Sequence, residues 1–104
     1  MVMMYVTVSQ HNTALKIADT ILEERLTNHV NVIAANHCKV WEDNKVADSI
    51  ETLLLIKTKA LLYSQIERRI RQMNLADVPK IFSVPITQID ENYYNFLKED
   101  VVKV

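Results

Sequence analysis

At 104 residues, 49% of them hydrophobic and none of them glycine, the chain is long enough to bury one core and too short for two, so one domain spanning residues 1–104 is expected. Its 12 basic and 13 acidic residues are scattered in mixed order and leave a formal net charge of −1, which builds no field for a polyanion; nucleic acid is not an expected partner. A single cysteine cannot close an internal disulfide, the opening "MVMMYVTVSQ" lacks the basic start and cleavage site of a secretory signal, and no apolar run nears the roughly 20 residues that span a bilayer, so a cytoplasmic chain with no membrane partner is expected.

The first segment, "VMMYVTVS", is apolar and β-branched throughout, which suits a central strand buried on both faces. From Asn12 to Leu26 the apolar residues Ala14, Ile17, Ala18, Ile21 and Leu22 recur at helical spacing, with Lys16, Asp19, Glu23, Glu24 and Arg25 on the other side; Ser9 or Asn12 is the expected cap. "HVNVIAA" alternates through Val30 and Val32, and "HCKVWED" follows almost without a spacer, as a continuation of the same strand or its hairpin partner. "DNK" at 43–45 is a turn signal, because Asn tolerates positive φ, and "IETLLLIKT" is the third strand. Thr58 is placed to cap the next helix, whose apolar stripe is Leu62, Ile66, Ile70 and Met73, with Arg68, Arg69 and Arg71 on a solvated face. Pro79 ends any helix, "KIFSVPI" is a fourth strand ending at Pro85, and Asp90 caps a short last helix in which Tyr93, Phe96 and Leu97 face inward.

The order β-α-β-β-α-β with an added C-terminal helix is that of an α+β, ferredoxin-like sandwich, two helices on one face of an antiparallel sheet. That order alone leaves function open.

Several segments carry a resemblance. "ADTILEERLTNHVNVI", "VWEDNKV", "TLLLIKTKALLYSQIERRI", "DVPKIFSVPI" and "DENYYNFL" resemble the CutA divalent-cation tolerance family, in order and across nearly the whole chain. The resemblance implies a homotrimer of ferredoxin-like subunits, a long hairpin of the second and third strands that reaches a neighbour, and a role in the response to metal ions such as copper. Two family glycines are missing. Ile33, Ala34 and Ala35 stand where relatives have "IPG", and Glu42, Asp43, Asn44 and Lys45 where they have "WEGK". The "PYEVPE" signature is replaced by Leu75, Ala76, Asp77, Val78, Pro79 and Lys80, which loses the aromatic and reverses the last charge.

The copper positions of relatives match Val6, Met73 and Asn74, so the resemblance does not carry a copper site over to this chain. The remaining metal candidates are weak ones, His29, His37 and Cys38, packed into ten positions. Their spacing fits no zinc motif, and His37 and Cys38, adjacent on an extended segment, should point to opposite faces; a small apolar cysteine filler and hydrogen-bonded or solvated histidines, His11 included, are the plainer account. No nucleophile setting or glycine-rich phosphate loop is present, and an enzyme is not expected. The residues matching the family's inter-subunit cleft are Trp41, Lys57 and Tyr93. They open a second reading, a sensor of the PII type taking a small anionic ligand between subunits, with Lys57 as its anion holder.

Overall fold

The structure is a computed structural model that describes residues 1–76 and 78–103; Asp77 of the altered signature lies outside the described residues. Strand β1 (Val2–Val8) runs into helix α1 (His11–Glu23), strands β2 (His29–Glu42) and β3 (Lys45–Thr58) follow, a 3₁₀ turn at Ala60–Leu62 leads into helix α2 (Tyr63–Gln72), and strand β4 (Lys80–Pro85) and helix α3 (Glu91–Lys98) close the chain. The sheet order is β2-β3-β1-β4 with every neighbouring pair antiparallel, the expected ferredoxin-like sandwich.

Alternation explains the core. Met4, Val6 and Val8 of β1 lie opposite Ile56, Leu54 and Thr52 of β3, and this face is covered by Ala14, Ile17, Ala18 and Ile21 of α1 and by Leu62, Ile66 and Ile70 of the second helical segment, with Met73 packed against it. The residues between them, Met3 and Tyr5 of β1 and Leu53 and Leu55 of β3, point the other way, and the same alternation turns Phe82 and Val84 of β4 to that second face.

Several local expectations are corrected. Neither Ser9 nor Asn12 caps α1: the chain turns at Gln10, whose extended backbone (φ −107°, ψ 127°) makes it the N-cap without a side-chain bond, so Asn12 falls inside the first turn. Thr58 is likewise no helix cap. Its hydroxyl donates to the Leu26 carbonyl at 2.7 Å and ties the end of β3 to the loop after α1, while the next helix begins with the 3₁₀ turn. The third strand starts at Lys45 rather than Ile50, because 45–49 pairs only with β2, is solvated on both sides and carries no hydrophobic period to announce it. Arg69 is not simply solvated: its Nε lies 2.9 and 2.8 Å from the two Glu24 carboxylate oxygens, joining α2 to the end of α1, whereas Arg71 pairs with Glu67 one turn away. At the C-terminal helix Asp90 does cap, accepting from the Tyr93 N–H at 2.9 Å, but Phe96 is 47% exposed. Tyr93 and Leu97 are four apart and share a stripe, and Phe96 stands about 100° round the helix from Leu97.

Candidate functional site

The open sheet face sets the site. Before Thr52, β3 has no partner on its β1 side among the described residues, since β1 pairs with residues 52–58; residues 36–51 therefore form a two-stranded ribbon standing clear of the sheet for about 20 Å. The ribbon turns at Asp43 and Asn44, both with positive φ (52° and 59°), and a register shift between Ile33 and Asn36 marks its root, where Ala35 has φ 56°. The two missing family glycines thus fall where the backbone is left-handed, and Ala35 and Asn44 take the strain instead.

The three weak metal candidates do not converge. His37 Nε2 lies 3.4 Å from Asp48, which also takes Lys39 Nζ at 2.6 Å, on one face of the exposed ribbon. Cys38 is on the opposite face, against Asn36 (Sγ 3.5 Å from Nδ2) and beside Glu51; hydrogen bonding to the Glu51 carboxylate, then desolvation, pushes the thiol pKa up, away from the thiolate a metal needs. His29 is at the far end of β2, occupied with Tyr93. Among the described residues no group of three or more His, Cys, Asp or Glu side chains could hold a metal ion. The copper positions of relatives do not fit an ion here: Val6 is buried in the core without a donor atom, and Met73 packs against that core as the C-cap of α2, next to Asn74. His11, at the start of α1, is exposed, with Nδ1 3.4 Å from the Thr52 hydroxyl.

Two of the three cleft candidates do come together. Lys57 lies opposite His29 in the β2–β3 register, and Tyr93 of α3 reaches over that end of the open face, its hydroxyl 2.6 Å from His29 Nδ1 with the rings edge to face. Lys57 is 6% exposed; its ammonium donates to Asn31 Oδ1 and to the Leu55 carbonyl, the latter at 3.1 Å, and the Thr27 hydroxyl donates to its carbonyl at 2.5 Å. Burial lowers the Lys57 pKa to about 8. Burial, and then the charge of Lys57, lowers that of His29, while burial and Asp90 raise that of Tyr93. At neutral pH the cluster therefore presents an ammonium, a neutral imidazole and a neutral phenol. Asn31, which the sequence did not single out, belongs to the same cluster, and its place two residues from His29 on one strand face was the available signal. Trp41 stands apart, 73% exposed near the tip of the ribbon beside Val46.

A family model described as CutA1 divalent ion tolerance protein matches residues 2–100. The divalent-cation tolerance protein CutA of Pyrococcus horikoshii is 27% identical over 103 residues, 99% of this chain and 100% of that one. The crystal structure of CutA1 from Oryza sativa superposes with a TM-score of 0.89 at 27% identity, covering 99% of this chain and 94% of the other. A structure called the periplasmic divalent cation tolerance protein CutA from Archaeoglobus fulgidus, at 22% identity and TM-score 0.85 over 98% of this chain and all of the other, shares the fold.

Proposed function

Since the chain belongs to the CutA1 divalent ion tolerance protein family, we propose that it serves divalent-cation tolerance as a cytoplasmic, non-enzymatic homotrimer. One observation carries the reading: the second face of the sheet is apolar and, away from α3, uncovered. Ile33 is 43%, Phe82 50% and Val84 38% exposed beside Met3, Tyr5, Leu53 and Leu55, a continuous apolar surface of the kind that is buried by association. The projecting ribbon, with Trp41, Val46 and Ile50 exposed, supplies the arm by which one subunit would grip the next. The threefold count comes from the family resemblance, and a closed ring leaves no sheet edge free.

The cytoplasmic assignment rests on the lone, unpaired Cys38, and the non-enzymatic one on the want of a glycine-rich loop or an activated nucleophile. The names of the matched proteins favour this reading over that of a PII-type sensor. Cation tolerance here does not pass through the copper positions of relatives, so Cu²⁺ or Zn²⁺ should bind at best at about micromolar strength in calorimetry; stoichiometric nanomolar binding would contradict that. The deciding experiment joins assembly to phenotype. Native mass spectrometry should give three times the 12.1 kDa chain mass, Phe82→Glu should reduce it to the monomer, and cells lacking the gene should regain tolerance of excess divalent metal with the wild type and not with that variant. A monomeric wild type, or full rescue by a monomeric variant, would refute the proposal.

A further inference from the structure

We propose that residues 91–102 form a strap that opens as one unit, and that Asn28 and Arg25 are the clasp that holds it shut. Helix α3 is thinly attached along its length. Leu97 is its buried residue and Tyr94 and Phe96 are exposed, whereas α1 buries Ala14, Ile17, Ala18 and Ile21. The approach to it is loose as well: the Ile86 N–H still bonds the Met1 carbonyl at 3.0 Å, and residues 87–90 then belong to no helix or strand.

The far end is held by polar contacts. Asn28 donates both of its amide hydrogens to the C-terminal end of α3, with Nδ2 2.8 Å from the Phe96 carbonyl and 2.6 Å from that of Glu99. A helix leaves its last carbonyls without intrahelical donors, and Asn28 supplies them from outside. Arg25 sets the amide: its Nη2 donates to Asn28 Oδ1 at 2.6 Å, which turns the oxygen to the guanidinium and the nitrogen to the helix. The same guanidinium lies 3.4 Å from the Glu99 and Asp100 carbonyls, a cation at the negative end of the helix dipole. The Val102 N–H closes the clasp on the Arg25 carbonyl at 2.9 Å.

Arg25 adopts a costly backbone to do this. Beyond the C-cap Glu24, the Arg25 N–H bonds the Leu22 carbonyl and the Leu26 N–H the Ile21 carbonyl, the pattern that ends a helix on a left-handed residue, most often glycine. Arg25 occupies that position at φ 60°, and Asp100, at φ 56°, turns the tail of the strap back towards it. Two strained residues 75 positions apart thus meet in the clasp, and strain of this kind collects at segments that switch. Every one of these contacts lies within one chain, so the clasp is present in any assembly. Opening it withdraws Leu97 and the buried Val101 and bares the end of the sheet that α3 covers, while β1, α1 and α2 keep their mutual packing.

Amide hydrogen exchange of the ¹⁵N-labelled full chain tests this. The Tyr94, Glu99 and Val102 amides, bonded to the Asp90, Phe96 and Arg25 carbonyls, should show protection equal within about threefold and at least about a hundredfold below that of Met4 and Val6 in the central strand. Asn28→Ala should lower all three by about tenfold and leave Met4 and Val6 unchanged. Arg25→Gly separates the clasp from the fold: glycine relieves the left-handed strain, so Met4 and Val6 should keep or gain protection while the strap loses about threefold or more. Protection that falls stepwise from Tyr94 to Val102 would show fraying in place of a unit, and protection equal to that of Met4 would show that the strap does not open by itself. Either variant lowering strap and sheet alike, or leaving the strap unchanged, would overturn the clasp.

Discussion

Lys57 is the residue on which folding and site chemistry meet most directly. Its ordinary pKa of 10.5 applies to the unfolded chain and a value of about 8 to the folded one, so the folded protein binds fewer protons between those limits. Stability therefore rises as pH is raised from about 8 towards 10.5 and is lost again as pH falls through 8, where the native state must carry a buried ammonium. His29 and the Tyr93 hydroxyl are the titratable groups beside it; His29 is already neutral throughout this window, and Tyr93 is held above its ordinary range. Thermal melts of the wild type and of Lys57→Met across pH 7 to 10 should accordingly converge, the variant being more stable at pH 7 by up to about 3 kcal/mol and losing most of that advantage by pH 10. A constant gap across the range would show that burial does not depress this lysine. The resemblance had placed Lys57 and Tyr93 in one cleft, with Lys57 as the anion holder, while the helical stripe gave Tyr93 as inward-facing. That His29 meets them was not legible, because 64 positions separate His29 from Tyr93 and only the docking of α3 joins them.

At the scale of elements, the β2–β3 ribbon shows how this chain manages without glycine. Alanine at φ 56° costs about 1–2 kcal/mol relative to its favoured backbone, and Ala35 bears that cost at the register shift where β2 leaves the sheet. Ala35→Gly should stabilise the fold by about 1 kcal/mol, seen as a higher urea midpoint at unchanged slope; a lower midpoint would mean that the bulge needs the methyl group. The turn behaves differently, since Asp43 and Asn44 are residues that enter the left-handed region at low cost, and "DNK" was accordingly readable as a turn. One arm of the ribbon was readable, "HCKVWED" as β2 continuing, and the other was not: strands betray themselves by a buried face, and residues 45–50 have none within the subunit, so β3 was expected five residues late. Helix starts failed for a related reason: a cap is a backbone event, and the presence of Ser9, Asn12 or Thr58 near a boundary does not say where the chain turns.

For the whole molecule the open face is the governing feature. One side of the sheet is sealed by α1 and α2 around a core of Met4, Val6, Leu54, Ile56, Ile66 and Ile70, and the other is held only at one end by α3, whose Leu97 is buried. If that second face is completed by further copies, stability is linked to concentration, and the melting temperature should rise with each tenfold increase in protein. A reversible melt indifferent to a hundredfold dilution would show that the face is stable in water as it stands.

What the sequence determined by itself is what short-range physics writes into it: apolar runs of strand length, helical stripes, a turn made of Asp and Asn, an Asp cap before the last helix, and enough ordered similarity to name the family and its α+β fold. The tertiary structure alone decided which polar residues meet. Whether Arg69 is solvated or bound to Glu24, whether Thr58 caps a helix or ties a loop, and whether Lys57 has a carboxylate beside it all depend on groups tens of residues away, and no local period encodes such distances. The same holds for His37 and Cys38: adjacency suggested opposite faces, but only the register with β3 set Asp48 against one and Glu51 against the other, because pairing across a sheet is fixed by where the strands dock and not by either strand alone.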